Sequence, residues 1–208
     1  MRERFDEFDL EWSCEASPSA PATGASAMLL TWALTAREEL FVADRLWEFD
    51  ADARRIPDPR GVYTFVRDGE LRLLFGQAPQ PSNLQLRVTY PPLFSRVLAG
   101  ETRRGEVTLP LPVDEYSSLA RDVRSPTSIE RVSRVTLIVE YRTRRSMDRD
   151  PTPPLGESAE TAGLIVHGPR RVTSTLHTAP FAVKRRTGYI ARVALPGEPP
   201  PGPYPLAR

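Results

Sequence analysis

Val62-Tyr63-Thr64-Phe65-Val66-Arg67, Asp68-Gly69, Glu70-Leu71-Arg72-Leu73-Leu74-Phe75-Gly76: in this stretch two β-prone runs flank a two-residue Asp-Gly link. A two-residue type I′ turn needs φ > 0 at both central positions, which Asp and Gly tolerate better than most residues. The run therefore predicts a tight β-hairpin. A tight turn also fixes register, and register decides which side chains face a core.

Outward from the hairpin the chain keeps the same period of two. Phe8, Leu10, Trp12, Cys14 and Ala16 alternate with Asp9, Glu11, Ser13 and Glu15, the pattern of a half-buried strand. Ala27 to Ala36 reads as a second strand with Leu30, Trp32 and Leu34 on one face. Arg37-Glu38-Glu39 is a turn, Leu40-Phe41-Val42 a short strand, and Ala43 to Asp52 a bulged strand or loop over the core edge. Leu84 to Tyr90 alternates again. Val135, Leu137, Val139 and Tyr141 mark a strand with apolar residues on both faces near its middle, so it is expected to be central. Leu164 to His167, Val172 to Thr178, Phe181 to Lys184 and Tyr189 to Leu195 read as further short strands. One helical turn fits Tyr116 to Arg121.

Val107, Leu109, Leu111 and Val113 point one way, while Pro110 and Pro112 point the other and remove two N–H donors. Such a strand lies at a sheet edge or leaves the sheet. The Ala99-Gly100-Glu101 turn ahead of it resembles a turn found in bacterial immunoglobulin-like modules, including intracellular proteinase-inhibitor types. With 22 prolines in 208 residues, long helices are disfavoured. The expected fold is all-β: an immunoglobulin-like antiparallel β-sandwich with long Pro-rich loops and at most one short helix. Residues 1–195 are expected to form one domain, with a mobile loop at about 143–161, and 196–208 a Pro-rich tail.

Charge separates function classes only weakly. The net charge is +1, which gives no general affinity for nucleic acid, and the predicted location is cytoplasmic because no apolar run has signal-peptide or membrane-spanning length. Residues 1–60 carry 7 basic and 13 acidic side chains, and residues 61–208 carry 21 and 14. Lys184 is the only lysine. Cys14 is the only cysteine, lies on the apolar side of its strand, and reads as a small core residue.

Motifs for chemistry are missing. There is no Cys-x-x-Cys, His-Glu-x-x-His, Gly-x-Ser-x-Gly or phosphate-binding glycine loop. No catalytic residue, metal or cofactor is therefore assigned. Three basic groups form the candidate binding surface: Arg142, Arg144 and Arg145; Arg170 and Arg171; and Lys184, Arg185 and Arg186. Converging at one end of a sandwich, they would suit an acidic protein or peptide. Few aromatics are interleaved with them, which argues against nucleic acid. The expected function is a non-catalytic protein- or peptide-binding accessory module acting through an edge strand or end loops. One alternative is an enzyme on a β-sandwich or jelly-roll scaffold with His167 and His177 in a pocket. The other is an intracellular peptidase inhibitor.

Overall fold

The computed structural model describes residues 1–17, 26–49, 55–77, 94–117, 126–143 and 170–186. These form β1 (Arg2–Arg4), β2 (Phe8–Ser17), β3 (Ala27–Ala36), β4 (Leu40–Val42), β5 (Trp47–Phe49), β6 (Arg55–Pro57), β7 (Tyr63–Arg67), β8 (Glu70–Phe75), β9 (Ser95–Val97), β10 (Thr102–Pro110), β11 (Val113–Asp114), β12 (Thr127–Thr143) and β13 (Arg170–Arg186). No helix occurs among the described residues. The expected strands at Leu84–Tyr90, Leu164–His167 and Tyr189–Leu195, nearly all of the 143–161 loop and the 196–208 tail lie outside them.

The hairpin forms as read: Asp68 and Gly69 take φ of 52° and 70°, and Arg67 pairs Glu70 across the turn. Its strands then enter a seven-stranded sheet. Along the long β12, one edge carries β13 through both halves of the strand. The other edge carries β8 over Arg134–Val139 and β4 over Tyr141–Thr143, end to end. A second sheet has the order β1-β2-β3-β10.

The period of two decides how the sheets face each other. Phe8, Leu10, Trp12 and Cys14 of β2, with Met28, Leu30, Trp32 and Leu34 of β3, pack on Leu71, Leu73, Val135, Leu137 and Val139 in one core. Trp12 ties the layers further by donating its indole N–H to Ser174 Oγ at 2.6 Å. The opposite face of the hairpin and β12 is covered too. Tyr63, Phe65, Leu74 and Ile138 pack there with Leu46 and Tyr116. β7 is consequently buried at every position.

Three features depart from the sequence reading. First, the pairing is not antiparallel throughout: β8 runs parallel to β12 over six residue pairs, and β11 runs parallel to β13. Second, residues 172–178 and 181–184 belong to one 17-residue strand. Val132 faces Phe181 and Arg134 faces His177, so Ser133 alone opposes three residues including Pro180. An irregularity of this kind lets a strand carry a proline without ending. Third, Tyr116 begins no helix, and residues 118–121 of the expected helical turn lie outside the described residues. Tyr116 forms an antiparallel bridge with Thr64 of β7.

That bridge closes the large sheet. Val113 and Asp114 pair with Val183 and Lys184, and two residues later Tyr116 exchanges backbone bonds with Thr64 at 3.0 and 2.9 Å. The path β7-β8-β12-β13-β11 thus returns to β7, giving that sheet a nearly barrel-shaped form.

Candidate functional site

The β10 edge is built by its register with β3. Thr102 faces Thr35, Gly105 faces Trp32 and Pro110 faces Ala27. Ala36 N donates to Glu101 O and Leu111 N donates to Ser26 O, both at 3.0 Å. These two bonds fix the phase of the ladder. In antiparallel pairing the peptide groups of alternate residues point to opposite sides. Odd residues from 103 to 109 therefore bond β3, and the peptide groups of Thr102, Arg104, Glu106 and Thr108 point away. Among the described residues no strand pairs with β10 on that side. Pro110 belongs to the outward set, so its missing N–H leaves the ladder with β3 intact. The edge reading of the two prolines agrees with this placement, as does the departure from the sheet: the chain crosses from β10 to β11 through Leu111 and Pro112.

Side chains on this strand divide cleanly. Val107 and Leu109 turn inward, whereas Arg104, Glu106 and Thr108 are exposed. Gly105 is required by the layer beneath it, because a Cβ there would overlap the Trp32 indole. Arg103 leaves the strand to donate to Asp44 Oδ2 at 2.7 Å, and Ser95 donates to the other oxygen of that buried carboxylate at 2.9 Å.

The described basic residues do not all share one end of the sheet. Arg170–Arg171 and Lys184–Arg186 occupy opposite ends of β13, about 40 Å apart at roughly 3.3 Å per residue. Arg142 lies at the Arg170 end, buried and paired in register with Phe41 of β4. Arg144 and Arg145 fall outside the described residues. Most of the described arginines also answer a carboxylate of the fold. Arg171 donates to Glu140 Oε1 at 2.7 Å, Arg185 to Glu130 at 3.2 Å and Arg186 to both oxygens of Asp114 at 3.2 and 2.7 Å. Arg170 donates to Glu7, which also accepts from Tyr141 Oη at 3.1 Å. An open depression beside Arg4, Phe5, Tyr141 and Arg170 is therefore already internally charge-matched by Glu7. Lys184 contributes its carbonyl to Glu115 N at 3.1 Å.

Glu115 is the group that spacing did not reveal. Its side chain is fully buried and spans the closing seam. Val66 N of β7 donates to Oε1 at 2.7 Å, and Arg186 N of β13 donates to Oε2 at 2.6 Å. Arg67 stands 3.4 Å away. Burial pushes this carboxyl above its ordinary range, and the two peptide N–H groups and the nearby guanidinia only partly oppose that shift. Nearby, Asp58 accepts from Tyr116 Oη, and Arg60 lies over the Tyr116 ring at 4.1 Å. These carboxylates each have partners from the fold itself.

His177 is exposed on β13 opposite Arg134, and His167 lies outside the described residues. No cluster of three or more His, Cys, Asp or Glu residues suited to a metal occurs among the described residues. Cys14 is buried, and desolvation followed by the neighbouring Glu15 charge pushes its thiol up to about 12. No helix among the described residues is long and apolar enough to cross a membrane. No family model, curated protein or solved structure matches the chain.

Proposed function

We propose that this chain is a non-catalytic protein-binding module, an immunoglobulin-like variant of two facing sheets, that takes an extended partner segment onto β10. One observation carries the reading: the outward peptide groups of Thr102, Arg104, Glu106 and Thr108 form a regular row on β10, which ends its sheet among the described residues. Addition of a strand to such an edge gains affinity from main-chain bonds and specificity from alternate side chains. The internal pairing of Arg170, Arg171, Arg185 and Arg186 favours this edge over the basic ends of β13 as the contact surface. A cytoplasmic setting completes the proposal.

The test uses displayed random peptides selected on the full chain. Selected peptides should slow hydrogen exchange at the Arg104, Glu106 and Thr108 amides. Thr108→Pro removes one outward N–H, in the phase Pro110 already occupies, and should weaken those peptides by roughly tenfold or more. Peptides that bind while leaving these amides and the proline variant unaffected would overturn the reading.

A further inference from the structure

The exposed face of β10 reads Thr102, Arg104, Glu106, Thr108, centred on Gly105. Inverted about Gly105 it reads Thr, Glu, Arg, Thr. The pattern is therefore complementary to its own antiparallel copy: Arg104 falls opposite Glu106, and Thr102 falls opposite Thr108. The same four residues carry the outward peptide groups, so the ladder phase and the charge pattern select the same register. We infer that the occupant of this edge is a second copy of the chain, paired β10 to β10 across a two-fold axis at Gly105. This rests on the reading of β10 as an open docking edge.

Three further observations fit that register. First, β3 offers Arg104 and Glu106 only Ala33 and Thr31 as cross-strand neighbours, and neither charge has an ion-pair partner among the described residues. A second copy supplies both charges at once, in hydrogen-bonded pairs where side chains on one face lie about 5.5 Å apart at their Cα atoms. Second, the register ends itself. Residue 110 falls opposite residue 100, where Pro110 lacks an N–H and Gly100 has turned out of the strand with φ of 82°. Third, the residue on the axis has no side chain, and the Trp32 indole covers it from the inner face. The two central strands thus approach without crowding. A two-fold contact of this kind uses the same surface on both copies and closes at two, so no open edge of β10 is left to extend into a fibre.

The experiment is sedimentation of the full chain as a function of concentration, with three exchanges at exposed positions. The wild type should form a concentration-dependent dimer. Arg104→Glu places Glu opposite Glu106 twice, and Glu106→Arg places Arg opposite Arg104 twice. Each should weaken the dimer by roughly tenfold or more. The double exchange Arg104→Glu with Glu106→Arg restores opposite charges in the same register and should recover the dimer. Nitroxides at Thr108 in the two copies should stand about 20 Å apart, since six residues separate them along the ladder. A chain that stays monomeric up to about 0.1 mM would overturn self-pairing. If selected peptides still protect the β10 amides in that case, the docking-edge reading survives alone. A dimer indifferent to both single exchanges, or a Thr108 separation near 5 Å from parallel pairing, would also overturn it.

Discussion

Removing the Glu115 carboxylate should open the seam of the large sheet. The carboxylate accepts two peptide N–H bonds at 2.7 and 2.6 Å from strands that do not otherwise pair with each other, and its side chain is fully buried. Glu115→Ala orphans both donors. A buried donor left without a partner costs about 1–3 kcal/mol, and the loss of the Arg67 contact adds to that. The expected total is about 4 kcal/mol. With a urea dependence of about 2 kcal/mol per molar, the midpoint should fall by roughly 2 M. Glu115→Gln keeps one acceptor but turns an NH2 group toward the other donor, so about half the loss is expected. Site-resolved hydrogen exchange gives the specific readout: the Val66 and Arg186 amides should exchange faster in the alanine variant. The pH dependence has a definite sign. The folded carboxyl titrates above its unfolded value, so the folded state binds the proton more tightly. That contribution is fully present below the ordinary carboxyl range and is lost as pH rises through the elevated folded value. The stability gap between wild type and Glu115→Gln should therefore narrow as pH increases across that window. A loss under about 1 kcal/mol in Glu115→Ala, with Val66 and Arg186 amides as protected as before, would refute the seam argument.

Other outcomes follow from single sites. Leu137→Ala, at a position 1% exposed on the central strand, should cost about 2–5 kcal/mol in chemical denaturation. Arg171→Ala strips a fully buried Glu140 carboxylate of its guanidinium and should cost about 1–3 kcal/mol. Arg185→Ala, in a pair about one-third exposed on both sides, should cost under about 1 kcal/mol; equal losses from the two would show that burial is not what separates them. Native Cys14 should resist alkylation at pH 8, since its thiol titrates near 12, and should react at the rate of global opening. Rapid labelling of the native chain would mean that β2 does not hold it in the core.

The sequence discloses what is encoded locally. Asp68-Gly69 sets its own backbone, and the alternation in Phe8–Ala16 and Ala27–Ala36 yields β2 and β3 with the expected inward faces. Leu40-Phe41-Val42 becomes β4 with the bounds that the flanking turn suggests. What depends on partners far along the chain is not legible. The donors to Glu115 lie 49 and 71 residues away, so nothing near Asp114-Glu115-Tyr116 distinguishes a seam from a polar loop. The parallel β8–β12 pairing is hidden for the same reason, since more than fifty residues of chain intervene between the two strands. Pro180 is misleading in the other direction: locally it ends a strand, while the irregular register opposite Ser133 carries β13 past it. The two described basic groups of β13 stand apart because residue spacing measures distance along a strand and not across a sheet. Arg171 and Lys184 share β13 and sit at its two ends.

The charge asymmetry between the two halves of the chain has a structural use that bears on where a partner binds. Acidic residues of the first sixty are met by arginines from farther along: Glu7 by Arg170, Glu39 by Arg96 at 2.5 Å, and Asp44 by Arg103. Arginine suits these positions because a planar guanidinium satisfies a carboxylate with directed bonds. A positive second half matched this way presents less free charge than its composition suggests, and a partner selected by net charge would find its best sites already answered. The β10 edge differs in kind. Arg104 and Glu106 stand on a strand whose inner neighbour, β3, offers them Ala33 and Thr31, and their peptide groups point to the side where no strand pairs among the described residues. Among the described residues charge, backbone and register thus leave the same side of β10 open, and a strand that completes one of them completes all three.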